Sequence, residues 1–293
     1  MFYQSIRIQI AIITKLINNT KFKIDKGDHL LDTHTHILWN IDDGSKNQCM
    51  SLQMLEIAAR SGTKAIFATP HVIERANKPS WEEIKEKTQQ LRQLCAEAQI
   101  DIMLYPGAEV QMNWELLPEL GATGAYCLNG GRYLLIELPA AEIPAYADEF
   151  WYELELKGIT PILAHPERYQ QLRENPDLLL LWRRRGMLMQ CNSGSFTGMF
   201  GSSVCENAKV LLANGLVDLL GSDGHRSEGR NTDMSRAAAV IRQLAGEEVL
   251  RQLTETNPQA ILKNSGNRAQ AAQSTFRRQT KELLAETLWQ IIN

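Results

Sequence analysis

His34 and His36 stand one residue apart at the end of an apolar run, in "LLDTHTH", and two adjacent acids, Asp42 and Asp43, follow in "NIDDGS". On a β-strand, residues i and i+2 point to the same face, so the two imidazoles would lie side by side. A divalent cation is a partner that two such imidazoles can share. The same placement recurs along the chain. His71 closes "FATPH", Glu109 lies at the end of "YPGAEV", Glu137 lies in "LLIELP", His165 follows "ILA", and Asp223 and His225 close "LLGSDGH". Five of the six histidines therefore end apolar runs, in the company of three carboxylates; only His29 does not.

Taken singly, each residue has an ordinary explanation. A lone histidine at a strand end is commonly a hydrogen-bonded structural residue, and a buried glutamate such as Glu137 can pair with an arginine. Eight ionisable groups at one end of a sheet are different, because burying them without partners costs several kcal/mol each. Divalent cations remove that cost. Imidazoles and carboxylates without thiolates suit Mn²⁺, Fe²⁺ or Zn²⁺ and do not choose among them. Eight ligands exceed what one ion takes, so two or three ions with a bridging carboxylate are expected. Such a centre suits phosphate-ester hydrolysis, since it makes hydroxide near neutral pH and neutralises phosphoryl oxygens. Arg168 and Arg230 fall at the same mouth, where guanidinium groups can grip those oxygens.

These residues need a scaffold that brings strand ends together. Short apolar runs at 29–36, 65–71, 101–110, 133–138, 159–165, 187–192 and 217–223 alternate with helical patterns at 46–61, 80–98, 144–157, 176–185, 202–214 and 232–244. Ser80 and Thr232 read as helix starts, and Gly62, Gly158, Gly186 and Gly215 as helix stops. Alternation with apolar strands predicts an α/β fold with a parallel sheet, closed or nearly closed into a barrel, whose strand C-termini share one face. The stretch 113–131 lacks a helical pattern and predicts irregular structure.

The bulk properties exclude several classes. A net charge of −3 gives no electrostatic reason to expect nucleic acid as a partner. Five cysteines, odd in number and without a C-x-x-C pair, fit reduced thiols in the cytoplasm. None is followed six positions later by arginine, so no thiol nucleophile of the C-x5-R kind is present. The apolar segment near the N-terminus is interrupted by Lys15 and is too short for a membrane span. Residues 1–28 therefore read as an N-terminal extension, 29–264 as the catalytic barrel, and 265–293 as a tail with an amphipathic helix. "WRRRG" at 182–186 reads as a solvated basic helix end.

The elements "DTHTHILWNIDDGS", "ATPH", "GAEV", "LLIELP", "ILAHPERY", "NSGSFTGMFG", "GSDGH" and "NPQAILKN", in this order, resemble the CpsB/CapC family of bacterial metal-dependent tyrosine phosphatases, within the polymerase-and-histidinol-phosphatase (PHP) superfamily. The resemblance runs from about residue 31 to 264. It implies a distorted (β/α)7 barrel, TIM-like and of the PHP type, with a trinuclear site commonly described as manganese-dependent. Carried over position by position, His34, His36, His71, Glu109, Glu137, His165, Asp223 and His225 are the implied metal ligands, and Arg168 and Arg230 the implied phosphate binders. Asp42 and Asp43 occupy the "IDDG" turn. The chain departs from the family pattern at Trp39-Asn40, where Pro-Gly is usual, and at Gly224, where Ala is usual; Trp39 is expected beside the site mouth.

The resulting expectation is a cytoplasmic phosphotyrosine-protein phosphatase in which metal-activated hydroxide attacks phosphorus while Arg168 and Arg230, with Asp223 in the cluster, serve catalysis. By resemblance, its substrate is the tyrosine-rich tail of a bacterial tyrosine kinase that controls capsule or exopolysaccharide production. A phosphoesterase acting on histidinol phosphate or a nucleotide is the alternative, and a non-catalytic metal-stabilised scaffold a third reading. Oligomeric state is not legible.

Overall fold

The structure, a computed structural model, describes residues 29–120 and 124–263. The N-terminal extension expected over 1–28 and the tail helix expected within 265–293 lie outside the described residues. Nine strands are present among the described residues: β1 (Leu30–Thr35), β2 (Thr63–Ala68), β3 (His71–Val72), β4 (Met103–Pro106), β5 (Glu109–Gln111), β6 (Tyr133–Glu137), β7 (Thr160–Ala164), β8 (Leu188–Asn192) and β9 (Leu219–Gly221). They form one sheet of order β1-β2-β4 and another of order β3-β5-β6-β7-β8-β9, and every ladder is parallel. The principal helices are α1 (Gln48–Arg60), α2 (Trp81–Glu97), α3 (Ala147–Leu156), α4 (Pro176–Arg184), α5 (Ser202–Ala213) and α6 (Ser235–Ala245).

The sheet buries both faces, and strand periodicity sorts the residues. On β6, Leu134 and Ile136 join the large core that also holds Leu55 of α1, Leu91 of α2, Phe150 of α3 and Ile241 of α6. Their neighbours Tyr133 and Leu135 join a smaller cluster with Phe67 of β2, Ile162 of β7 and Leu219 of β9. Helices therefore cover one face while the strands pack on one another across the other, so the sheet curls. Glu137 follows Tyr133 and Leu135 at the same period of two, which carries it to the strand-packed face. The curl brings the two ends of the chain order together. Thr35 pairs in parallel with Gly224, His36 N–H donates to the Gly224 carbonyl at 2.9 Å, and Asp223 N–H donates to the His34 carbonyl at 2.8 Å.

Two of the apolar runs each divide into two strands. Pro70 has no N–H to give, and the run expected at 65–71 breaks there into β2 and β3. The run at 101–110 breaks at Gly107, where a Cβ would come within 2.7 Å of the Leu128 side chain. The stretch after Asn113 is irregular as expected, with 3-10 turns at Trp114–Glu119 and Leu128–Gly130. Ser80 caps α2 by accepting from Glu83 N–H, whereas Thr232 does not cap α6. Its hydroxyl donates instead to the Met54 carbonyl on α1, and the helix begins three residues later, at Ser235. Nor is the basic run wholly solvated. Arg183 makes a two-pronged pair with the buried Asp218, at 2.7 and 2.9 Å.

Candidate metal centre

Parallel register sets the first contacts. His71 of β3 is the ladder partner of Glu109 of β5, and Gln111 of β5 is the partner of Glu137 of β6, so these side chains meet across adjacent strands. His34 lies on β1 and His36 one residue past its end. His165 and Asp223 follow β7 and β9 in left-handed backbone, with φ of 36° and 53°. For residues other than glycine this conformation costs about 1–3 kcal/mol. Both side chains reach the cluster, His165 through Glu109 and Asp223 beside His34 and His36.

All eight residues expected as ligands come together. Glu109 Oε2 lies 3.1 Å from His34 Nε2, 3.2 Å from His36 Nε2 and 3.1 Å from His71 Nδ1. Asp223 Oδ1 is 3.6 Å from His34 Nε2 and 3.4 Å from His36 Nε2. His71 Nδ1 is also 3.3 Å from Glu137 Oε1, and His165 Nε2 is 2.8 Å from Glu109 Oε1. Three sets each bring one candidate ligand atom per residue within 4.8 Å of the others: His34, His36 and Asp223; His71, Glu109 and Glu137; and His36, Asp43, His71 and His225. Glu109 Oε2, Asp223 Oδ1 and His71 Nδ1 are buried without a hydrogen-bond partner. Each of these three atoms belongs to a residue in one of the sets. Buried polar atoms normally have partners, so atoms orphaned together and facing one another fit a site built to hold cations.

A surrounding layer fixes the imidazoles. His34 Nδ1 meets Gln190 Oε1 of β8 at 3.0 Å, and His225 Nδ1 meets the Asp223 carbonyl at 2.9 Å. His36 Nδ1 meets Asp42 Oδ2 at 2.7 Å. These contacts turn Nε2 of the three rings toward the centre, where those of His34 and His36 lie 3.1 Å apart, as outer partners of ligating histidines commonly do. Asp42 holds more than the His36 ring, since its carboxylate also accepts from the backbone N–H of His71 and of Gly44. Gly44 must be glycine here: a Cβ would lie 2.2 Å from the His36 carbonyl oxygen.

The electrostatics follow from crowding. Burial pushes Glu109 up, but the His34 and His71 imidazoles outweigh it and hold its carboxyl well below the usual range. Asp223 behaves alike: burial raises it, while His34, His36 and Arg230 hold it far down. His36 is raised well above its ordinary value against its burial, chiefly by Asp42. Burial and the neighbouring His36 push His225, its ring centre 3.9 Å away, down to about 4.

Arg168 and Arg230 both reach the outer oxygen of Asp223, Arg168 at 3.4 Å and Arg230 in closer contact. Asn192 Nδ2 donates to the same oxygen. A cleft of about 630 Å³ opens from Glu137, His165 and Arg168 and runs out past Tyr169 to Gln171 and Glu174. Trp39 does not stand at the mouth. It is 8% exposed, packs into the large core, and carries Lys87 Nζ 5.1 Å over its ring. Sequence reasoning left the role of Asp43 open, although its carboxylate reaches His71 at 3.7 Å and His225 at 3.4 Å. The signal lies in the paired acids of "IDDG", of which Asp42 holds the turn and the His36 ring while Asp43 faces His71 and His225.

Comparison with known proteins agrees with this arrangement. A family model described as "Capsular polysaccharide synthesis, CpsB/CapC" matches residues 30–263. Tyrosine-protein phosphatase YwqE of Bacillus subtilis is 34% identical over 249 residues, 85% of this chain and 98% of that protein. Tyrosine-protein phosphatase CpsB of Streptococcus pneumoniae is 28% identical, over 80% of this chain and 98% of its own. Among solved structures, one of the pair YwqE and CpsB, described as metal-dependent tyrosine phosphatases, superimposes with a TM-score of 0.75 at 33% identity, covering 80% of this chain and 95% of that one. With the matched span enclosing every residue of the centre, the chain belongs to the CpsB/CapC family.

Proposed function

We propose that the protein is a metal-dependent protein-tyrosine phosphatase. The observation that carries the reading is the convergence of three partnerless ligand atoms, on Glu109, Asp223 and His71, beside two arginines that share Asp223, one of which, Arg168, lines an open cleft. Relatives named as tyrosine-protein phosphatases support it.

In this reading His34, His36 and Asp223 would hold one divalent ion, His71, Glu109 and Glu137 a second, and Asp43 and His225 would help to hold a third. His165, bonded to Glu109, completes the set. Bound ions, Mn²⁺ foremost with Fe²⁺ or Zn²⁺ as alternatives, would supply Lewis acidity and a water activated near neutral pH. The chain's own residues do the rest. Arg168 and Arg230 present guanidinium forks to the phosphoryl oxygens, where charge-assisted pairs are strongest. Asp223 aims both arginines by accepting from them on the oxygen that faces away from the imidazoles. The cleft past Tyr169 gives room for the polypeptide that carries the phosphotyrosine. Tyrosinate, with a pKa of about 10, is a tolerable leaving group.

The fold is read in the same terms. With β2 and β3 counted as one interrupted strand, and β4 and β5 as another, seven strand positions surround the site, the distorted (β/α)7 barrel of the PHP type. The substrate is proposed to be the tyrosine-rich tail of a bacterial tyrosine kinase in the cytoplasm, in keeping with the capsular role of the family. No helix among the described residues is long and apolar enough to cross a membrane.

Phosphate release from a phosphotyrosine peptide, beside histidinol phosphate and a nucleotide monophosphate, tests the reading on chelator-stripped protein with and without added Mn²⁺. Peptide turnover restored by metal is the expected result. Turnover confined to a small molecule would replace the substrate, and no turnover by metal-loaded protein would overturn the activity.

A further inference from the structure

One aromatic ring lies against both rim arginines. The Arg168 guanidinium carbon sits 4.6 Å from the centre of the Phe200 ring, and that of Arg230 sits 5.5 Å from it. Two like charges drawn to one another's neighbourhood repel, and Asp223 alone offers them a single shared oxygen. Arg230 Nε is buried without a hydrogen-bond partner, so its fork is held by Asp223 at one nitrogen and by the nearby ring. The negative π-face attracts a cation without asking it to point its N–H groups inward, which leaves those donors for an anion.

The turn that carries Phe200 is built to hold it there. Buried Glu167, the neighbour of Arg168, accepts from Asn192 N–H at 2.9 Å and from the Ser195 hydroxyl at 2.6 Å. Its own carbonyl accepts from Asn207 Nδ2 of α5 at 3.0 Å. The loop bearing Arg168 and the turn bearing Phe200 are thereby tied together on one side of the site. Gly194 leaves the space the ring needs, since a Cβ there would approach Phe200 Cε2 to 3.2 Å and Met199 Sδ to 2.9 Å.

We infer that Phe200 is a positioning residue for phosphate: its ring holds the Arg168 and Arg230 guanidinium groups as a pair spaced for one phosphoryl group. The inference rests on the phosphatase reading for its biological sense. Its physical content is narrower, namely that oxyanion binding at this rim depends on the ring. Because the ring acts through the arginines, its loss weakens any phosphoryl group equally, with no preference for an aromatic ester.

The experiment compares wild type, Phe200→Leu and Phe200→Tyr in the full-length, Mn²⁺-loaded protein. Calorimetric titration with inorganic phosphate reads binding without turnover, and kinetics with a phosphotyrosine peptide and with a non-aromatic phosphate monoester read KM and kcat separately. Losing two partly exposed cation–π contacts predicts phosphate affinity weakened by about five- to tenfold in Phe200→Leu. KM should rise in proportion for both esters while kcat changes less. Phe200→Tyr, which keeps the π-face, should restore most of the affinity. Undiminished phosphate binding in folded Phe200→Leu overturns the inference, as does an equal loss in Phe200→Tyr, or a KM effect confined to the aromatic ester. Ring-dependent phosphate binding in a protein that turns over no phosphotyrosine peptide would sink the phosphatase reading and leave the positioning role standing.

Discussion

Two buried aspartates flank β9, five residues apart, and they are built differently. Asp218, before the strand, has both oxygens engaged. Arg183 grips it with two bonds, and Met189 N–H donates to it at 2.9 Å. Asp223, after the strand, has three donors gathered on one oxygen, from Asn192, Arg168 and Arg230. Its other oxygen faces His34 and His36 without a hydrogen bond. Burial is the same for both. The difference lies in whether the carboxylate is closed by hydrogen bonds or left open toward the imidazoles. A closed carboxylate is structure, and one left open toward imidazoles has a task that the chain alone does not complete.

Asp223→Asn should break the open member of the pair. Phosphatase activity should fall by at least the roughly 100-fold that losing even an outer partner of a metal site can cost. Metal analysis should find fewer ions per chain. Asp218→Asn should give the converse. It weakens the two charge-assisted bonds that Arg183 makes to the buried carboxylate, so unfolding free energy should drop by about 1.5–3 kcal/mol, with activity per folded molecule retained. Should Asp218→Asn abolish activity in protein that is still folded, the distinction between the two residues fails.

Asp42 sharpens the comparison, because it is closed and yet serves the site. Its donors are Gly44 N–H, His71 N–H and the His36 ring. Asp42→Asn keeps the size and most of the turn but removes the charge that fixes the His36 tautomer. Metal affinity should weaken by about 10–100-fold, read by competition with a chelator, while kcat at saturating metal changes less.

How much of this was legible in the sequence follows from the range of the interactions. His34, His36, His71, Glu109, Glu137, His165, Asp223 and His225 could be named because each interrupts or ends an apolar run, a local signal. Their holders could not. Gln190 meets His34 across 156 positions, and Glu167 reaches Ser195 only through the packing of neighbouring strands. Nothing in the residues around Gln190 distinguishes it from a surface glutamine until β8 is placed. Trp39 misled for the opposite reason. Its place in the chain is beside the metal-binding segment, but α2 packs over it and Lys87 covers the ring, so nearness in sequence did not become nearness to the mouth. Thr232 carried a valid helix-start signal that a tertiary bond to Met54 overrode.

Asp32 tests whether an open oxygen is enough. Its Oδ1 accepts from Ser222 N–H at 2.8 Å and His34 N–H at 3.2 Å, while Oδ2 is buried without a partner, as in Asp223. Unlike Asp223, it belongs to none of the three ligand sets. Burial outweighs its hydrogen bonds and raises its pKa to about 6, so near neutral pH its open oxygen lies close to being closed by a proton. A folded pKa above the unfolded value of about 3.9 means that the folded state binds the extra proton between those limits. Its contribution to stability is full below pH 4 and is lost as pH rises through 6. Asp32→Asn never ionises, so in metal-free protein its stability relative to wild type should climb from pH 4 to 6 and level off above 7. The ionisation cost avoided is about 3 kcal/mol, and the amide N–H left unpaired at Oδ2 gives back about 1–2, for a net gain on the order of 1 kcal/mol at pH 8. Urea midpoints of the two proteins at pH 4.5 and pH 8 measure it. A difference that does not grow with pH would mean that Asp32 is ionised throughout, and that its open oxygen, like that of Asp223, waits for a cation.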